Sequence, residues 1–440
     1  MTSMDDHYQQ LFRRLNPPRY LSNSPAILNR IQTARVVIDN ESCKNATVVR
    51  VDSASVFAIL LDVVQVLADL NLTITKAYIS SDGGWFMDVF NVTDHEGNKV
   101  VDSMVLDLIR NSVASEKPPI RSENDTTVIE MIGNDRPGLL SEMTAILASL
   151  GCDVREADLW THNNRAAAVI EITDAGTSAA IEDHERLAKI KERLRHVLTG
   201  SSMTKAAAVS FTGEAVHAER RLHRLMFLER DYEGSSMSEK LKPTVSIENW
   251  DEKDYSVIAI TTRDRPKLLF DTLCALSDLN YVVSHANVDT EGSLARHEYY
   301  VRHADGYSIK SNAERERVIR CVKAAITRRA SEGLKLELCT TDRVGLLSDV
   351  TRIFRESSLT VVRAEVRTSG GKARNTFYVG DVSGYPVDTK TIESIRKAIG
   401  DTILKVNVGV EDAPPQESGF FGGLFRSKSF VNFGLIRSYS

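Results

Sequence analysis

The chain has 440 residues, 42% of them hydrophobic and 26% charged, with a formal net charge of −5 at pH 7. This is the composition of a soluble globular protein with several domains, and its acidic balance argues against a dedicated nucleic-acid or anionic-membrane binder. The five cysteines (43, 152, 274, 321 and 339) form no C-x-x-C pair and no metal-ligand spacing. They read as free thiols in a reducing compartment, and neither metal nor cofactor is expected. No apolar run approaches the roughly 18 residues of a transmembrane helix. Asp5, Asp6 and His7 stand where a secretory signal would need an apolar stretch, so the expectation is cytoplasm or nucleus and not secretion.

In chain order, residues 1–34 form an N-terminal segment. Val36–Asn40 is a short β-forming run, Thr47–Val51 a strand and Ser55–Asp69 a helix, with a hairpin turn at Ser81-Asp82-Gly83-Gly84. Lys117-Pro118-Pro119 then leads into a second unit that shows the full pattern. Thr127–Ile132 is a strand, and Asp135 stands where a helix N-cap is expected, with Pro137 in the first turn. Leu139, Leu140, Met143, Ile146, Leu147 and Leu150 form one apolar helical face, closed by Gly151. Asp153–Trp160 and Ala166–Thr173 flank a turn at His162–Arg165. A second helix over Ala179–Leu198 and a strand over Lys205–Phe211 complete the order βαββαβ.

Residues 212–243 read as a charged amphipathic helix followed by a polar linker. The plain reading is a connecting helix with one face on a domain, and the sharper one is a partner-binding helix. His184, His217, Glu219 and His223 are expected on helix surfaces. A third unit has strand Ser256–Thr261, helix Pro266–Leu279 and a turn at Glu291-Gly292-Ser293. A fourth has Lys335–Cys339, Gly345–Ser357 and a turn at Ser369-Gly370-Gly371. Residues 412–440 lack acids from Gly422 onward and alternate Phe with Arg and Lys, so they read as a flexible basic, aromatic tail.

The first and third units have no room for a closing strand, which would leave a bare sheet edge. Val36–Asn40 and Val245–Asn249 precede them, and the interval from Val36 to Val245 equals that from Leu60 to Leu269. A strand hairpinned onto the first strand fills the vacant slot. The expected fold class is therefore α+β, with four tandem ferredoxin-like units arranged as two duplicated pairs. The boundaries are 35–116, 124–211, 244–331 and 334–411, and an N-terminal strand replaces the last strand in the first and third units.

One loop recurs at the same place in the pattern. It reads Asp135-Arg136-Pro137-Gly138-Leu139-Leu140, Asp264-Arg265-Pro266-Lys267-Leu268-Leu269 and Asp342-Arg343-Val344-Gly345-Leu346-Leu347, with a degenerate copy at Ser55–Leu60. A helix N-terminus suits a carboxylate, a glycine lets a ligand approach the backbone, and an aspartate accepts from an ammonium group. Together these describe a free α-amino acid held at about −8 to −4 kcal/mol. The plainer reading makes the aspartate a cap and the leucines core.

At these residues the chain resembles the ACT domain, a regulatory module of amino-acid metabolism, and in particular the plant ACT domain repeat (ACR) family of four modules and no catalytic domain. His217–His223, Asp231-Tyr232-Glu233 and Ser429–Ser440 resemble that family's linker and tail. The resemblance implies a non-enzymatic sensor of a free amino acid, glutamine being one candidate, that serves nitrogen or amino-acid metabolism. It places the ligand between paired modules and a relay to an unidentified protein partner, with homo-oligomers through sheet pairing as a further expectation. The binding residues it implies are Asp135, Arg136, Pro137, Gly138 and Leu139, with Asp342, Arg343, Gly345 and Leu346. Asp264, Arg265 and Lys267 are doubtful, because Lys267 adds a side chain where backbone access matters. The loop at Phe57 looks retired.

Catalysis is not expected. Gly292-Ser293-Leu294-Ala295-Arg296 mimics the start of a nucleotidyltransferase motif but lacks a following Asp-x-Asp pair. Asp183-His184 is reversed for hydrolase chemistry, and no phosphate-binding glycine loop occurs. Two other readings are a ligand-free interaction scaffold and, less favoured, an RNA-binding βαββαβ array. For the latter only Phe377-Tyr378 on a third strand is suggestive.

Overall fold

A computed structural model describes residues 34–53, 58–82, 85–114, 126–200, 207–212, 217–233, 243–329, 333–383, 386–399 and 403–407. The N-terminal segment, the retired loop at Phe57, the polar linker and the C-terminal tail lie outside them.

The first unit comprises β1 (Arg35–Asp39), β2 (Thr47–Ser53), α1 (Ala58–Asp69), β3 (Thr73–Asp82), β4 (Trp85–Thr93) and α2 (Ser103–Ala114). The second comprises β5 (Thr127–Asn134), α3 (Leu139–Ser149), β6 (Cys152–His162), β7 (Arg165–Asp174), α4 (His184–Thr199) and β8 (Ala208–Thr212). Helix α5 (Ala218–Leu228) and a short 3-10 turn, Asp231–Glu233, connect the halves. The third unit has β9 (Thr244–Trp250), β10 (Tyr255–Arg263), α6 (Leu268–Asp278), β11 (Tyr281–Glu291), β12 (Leu294–His303) and α7 (Asn312–Arg329). The fourth has β13 (Leu334–Thr341), α8 (Leu346–Glu356), β14 (Leu359–Ser369), β15 (Lys372–Asp381), α9 (Thr389–Ile399) and β16 (Ile403–Asn407).

The leading strands take the slots assigned to them. β1 pairs antiparallel with β2, Val37 opposite Arg50, and β9 pairs with β10, Ser246 opposite Ala259. β8 and β16 close the second and fourth units on β5 and β13. Expected element ends shift by a few residues, most at α4, which begins at His184 and not Ala179, because the Asp183 side chain accepts from the Glu185 and Arg186 N–H groups and caps the helix there.

The units pair across the duplication and not within it. One eight-stranded sheet runs β1-β2-β4-β3-β11-β12-β10-β9 and the other β16-β13-β15-β14-β6-β7-β5-β8. The first unit thus joins the third, and the second joins the fourth. In each sheet the central antiparallel pair matches equivalent residues, Tyr78 with Asn287 and Asp158 with Glu365, so each sheet is an isologous pseudo-dimer made from one chain. The same symmetry brings α3 against α8, where the equivalent hydroxyls of Thr144 and Thr351 meet at 3.0 Å. The Asp158–Glu365 pairing sets two acids side by side, and Arg367 Nη2 offsets it by donating to both Asp158 oxygens at 2.9 and 2.8 Å.

The β-strands bury Phe90, Ile129, Ile170, Tyr299 and Phe377 against the helices. On the other face of the second sheet, Val128, Ile132, Trp160, Ala167 and Val169 are covered by Leu222, Leu225 and Met226 of α5. Trp160, 1% exposed, meets His223 edge-on at 4.9 Å and carries the Arg329 guanidinium 4.7 Å over its ring. α5 therefore fills the space between the two sheet bodies. Glu219 and His223 are correspondingly buried, 7% and 0% exposed. This corrects the expectation of surface positions, because the helix has bodies on both sides.

Two outcomes check this arrangement. The amides of β1 and β9 are protected in hydrogen exchange at the level of the other sheet strands, and free-tail rates at Val37 and Ser246 would contradict it. Trp160→Ala lowers stability by about 3–5 kcal/mol in urea unfolding.

Candidate ligand site between the second and fourth units

The recurring loop is a β-turn ahead of the helix, and not an aspartate cap. Leu139 N–H donates to the Arg136 carbonyl at 3.2 Å, and Gly138, with φ 80° and ψ 0°, is the residue before α3. Pro137 at the second turn position and a left-handed glycine at the third define a type II turn. Gly345 repeats the geometry at φ 81° and ψ −1°, and Lys267 is forced into it at φ 64°, an uncommon and strained conformation for a residue with a side chain. Asp135, Asp264 and Asp342 stand three residues earlier. Each donates its N–H to the hairpin turn of its own unit, at Asn164, Ser293 and Gly371 respectively. The aspartate thus anchors the loop to the sheet, and the Pro-Gly signal belongs to the turn.

The loop arginines also have local work. Arg136 donates to both Glu142 oxygens at 2.7 and 2.5 Å, Arg343 to Asp349 at 2.5 Å, and Arg265 lies 2.7 Å from Asp271. In each case the partner sits six residues on, in the first helical turns.

Two clefts lie at the α3–α8 interface, related by the pseudo-twofold. The first brings Asp135, Gly138 and Thr161 against Thr351, Arg355 and Thr360. The second brings Asp342, Gly345 and Asn375 against Thr144, Cys152 and Asp153. Their cavity volumes are about 10 and 20 Å³, on the order of one water each. An amino acid enters only if α3 and α8 separate. Of the residues read from the sequence, Asp135, Arg136, Gly138 and Leu139 line one cleft, and Asp342, Arg343, Gly345 and Leu346 line the other. Pro137 is exposed beside the first. Thr360, Arg355, Asp153 and Asn375 were missed, since they come from strands or from the opposite unit and no local motif marks them.

The two clefts differ chemically. A Cβ on Gly138 would lie 2.9 Å from Arg355 Cδ, whereas the corresponding space at Gly345 is open. Burial pushes the Asp135 carboxyl up to about 6, against hydrogen bonds from Thr161 and the Arg136 backbone. In the second cleft burial raises Asp153, and the nearby Asp342 raises it further. Arg155 lies 3.8 Å from Asp153 and 4.0 Å from Asp342. Asn375 is 3% exposed, and its Oδ1 has no hydrogen-bond partner among the described residues.

The third loop is occupied by the chain itself. Lys267 Nζ donates to both Glu219 oxygens at 2.9 and 3.0 Å, and Arg329 donates to the same carboxylate at 2.7 Å. Asp271 receives Arg329, Arg265 and His223. Arg328 donates to Asp231 at 2.7 and 2.6 Å and to His223 Nδ1 at 3.0 Å. That contact fixes the neutral histidine tautomer whose Nε2–H donates to Asp271 at 2.8 Å. Burial would raise the Asp271 and Glu219 carboxyls, but the arginines hold both well below the usual range. Burial lowers His223 to about 4.

Among the described residues, no group of three or more His, Cys, Asp or Glu could hold a metal, and no helix is long and apolar enough to cross a membrane. Strand alternation splits the suggestive pair on β15. Phe377 is fully buried against Phe354, and only Tyr378 turns away, beneath the Arg363 guanidinium.

Loop, βαββαβ order and side-by-side sheets together define an ACT-domain protein. A family model described as the ACR family N-terminal ACT domain matches residues 42–118, and the ACT domain model matches 127–195 and 336–397. The chain is 58% identical to ACT domain-containing protein ACR4 of Arabidopsis thaliana, over 99% of both chains, and 56% identical to ACR5 of the same plant, over 99% of this chain and 98% of the other. A bifunctional uridylyltransferase/uridylyl-removing enzyme of Rhodospirillum rubrum is 29% identical over 46% of this chain and 20% of its own length. The chain belongs to the ACT domain-containing ACR family.

Two measurements test the buried network. Asp271→Asn leaves Arg329 and Arg265 under-compensated in the interior and lowers stability by about 3–5 kcal/mol. Because the folded pKa of His223 is depressed, the unfolded chain binds the extra proton first. Stability therefore falls as pH drops from about 6.5 to about 4, by up to about 1.4 kcal/mol per pH unit, and His223→Gln flattens that interval in urea titrations.

Proposed function

We propose that this ACR-family chain is a non-enzymatic regulatory protein that senses a free α-amino acid in the clefts between its second and fourth units. The observation that carries this reading is convergence. The two loops that keep glycine, far apart in sequence, stand on opposite sides of one pseudo-symmetric interface, each facing polar side chains of the neighbouring unit. The first turn of α3 or α8 offers N–H groups with no intrahelical acceptor to the ligand carboxylate. Asp135, or Asp342 with Asp153, accepts from its ammonium group. We take all four units to be ACT modules, the first and third bound together as a frame and the second and fourth forming the sensor.

Because each closed cleft holds only about one water, a ligand selects a conformation in which α3 and α8 have moved apart. The second unit is also clamped to α5, where Arg221 lies 2.6 Å from Glu130 of β5 and Arg165 donates to Glu229 at 2.7 Å. Opening the interface therefore strains the junction between the bodies, which is how we picture relay to a protein partner. Amino-acid or nitrogen metabolism in the cytoplasm or nucleus is the setting we propose, and glutamine is among the ligands to test. The sheet pairing that separate chains could share is made within this chain, so a homo-oligomer would use other surfaces.

Thermal-shift screening with the twenty amino acids tests the reading. A ligand at about 100 times its Kd stabilises by about 2.7 kcal/mol, and no shift with any of them leaves the scaffold reading standing. Calorimetry should show binding abolished in the double variant Gly138→Val, Gly345→Val. A β-branched side chain is strained at φ 80° and 81° and closes the backbone to the ligand. Unchanged affinity would remove these loops from the site. Below pH 6 the first cleft loses affinity as Asp135 gains its proton.

A further inference from the structure

One position on the third strand of each unit has the same register and different chemistry. Asp88 faces Val51, Ala168 faces Met131, His297 faces Ile260, and Asn375 faces Leu338. All four are buried, at 3%, 1%, 4% and 3% exposure, while the residues opposite them are uniformly apolar. In the second unit alanine leaves nothing polar there. In the third, His297 is satisfied by the Tyr299 hydroxyl at 2.8 Å. In the first, Asp88 Oδ1 lacks a partner among the described residues but lines neither cleft, and Asn375, whose Oδ1 likewise lacks one, lines the Gly345 cleft.

A buried amide oxygen without a hydrogen bond costs about 1–3 kcal/mol, and a ligand in the cleft that brings a donor to it removes that cost. The other cleft groups limit that ligand's charge. Asp342 and Asp153 disfavour an anionic side chain, and the nearby cations are already engaged, Arg343 with Asp349 and Arg155 with Thr173, Asp153 and Asp342. A carboxylate would accept only, and an ammonium or guanidinium would donate only. A carboxamide does both, and pairs head to head with the Asn375 amide by two hydrogen bonds, whichever way that amide is turned. In the second unit the equivalent residue is Ala168, which does not line the Gly138 cleft, where Arg355 lies over the glycine, and no such pairing is offered there.

We propose that Asn375 is the specificity-determining residue of the Gly345 cleft, selecting an α-amino acid with a carboxamide side chain. This rests on the amino-acid reading of that cleft. It makes the two clefts non-equivalent: one reads the side chain, and the other does not read it through this position.

Calorimetry on the full chain compares L-glutamine and L-asparagine with L-glutamate, the anionic isostere, and L-methionine, which has similar length but no amide. The expected result is a preference for the carboxamides of about tenfold or more, the worth of one or two hydrogen bonds. In Asn375→Ala this falls to within about threefold. Folding should survive the change, since Ala168 occupies the equivalent position in the second unit, and equal or higher thermal stability of the ligand-free variant is a second expected readout. A carboxamide preference that persists in Asn375→Ala, or the lack of any preference in the unaltered chain, overturns the assignment while leaving amino-acid binding intact. Absence of binding by all four ligands, together with an unshifted screen of the twenty, overturns the underlying reading as well.

Discussion

The antiparallel ladder between β6 and β14 is the constraint on which the candidate site depends. A four-stranded ferredoxin-like sheet has an open edge at its second strand, where unpaired N–H and C=O groups need a partner. Joining two such edges about a pseudo-twofold satisfies both rows. It also sets α3 beside α8, so that each loop ends against the neighbouring unit's helix and strand. Neither cleft exists within one unit. The Arg367 contacts to Asp158 keep this ladder in register despite two acids at its centre.

The same geometry in the other body has a different outcome. There the third loop carries Lys267, and the chain's own Glu219 arrives as its anion. A carboxylate still meets the loop ahead of a helix, but it is covalently tethered and surrounded by Arg329, Asp271 and His223. The result is a buried clamp between bodies. Divergence after duplication has therefore followed the sheets: the glycine-bearing loops share one, and the altered loops share the other. Where glycine gives way to Lys267, the side chain itself takes up the carboxylate contact.

Much of the fold was legible in sequence because it is local. Apolar periodicity marks α3 and α8, and the equal intervals Val36–Val245 and Leu60–Leu269 place the leading strands correctly. In sequence Asp135 looks like a cap because Pro-Gly fits both a helix start and a type II turn, and only the left-handed φ of Gly138 separates them. Glu219 and His223 look like surface residues on an amphipathic helix until a second body covers their face. Half of the candidate site was legible as a repeated motif. The other half, Asp153, Arg355, Thr360 and Asn375, lies on segments with no motif of their own.

By itself the sequence determined the four units, the permuted strands and the chemistry of the loops, since each of these follows from spacing and residue type along one stretch of chain. Only the tertiary structure decided that the first unit pairs with the third and the second with the fourth. Edge pairing between equivalent strands is degenerate in sequence, as any of the four second strands presents the same backbone groups. The pairing goes together with α5 packed between the bodies and the charges compensated there, and it puts Gly138 and Gly345 on one interface and leaves Lys267 on another.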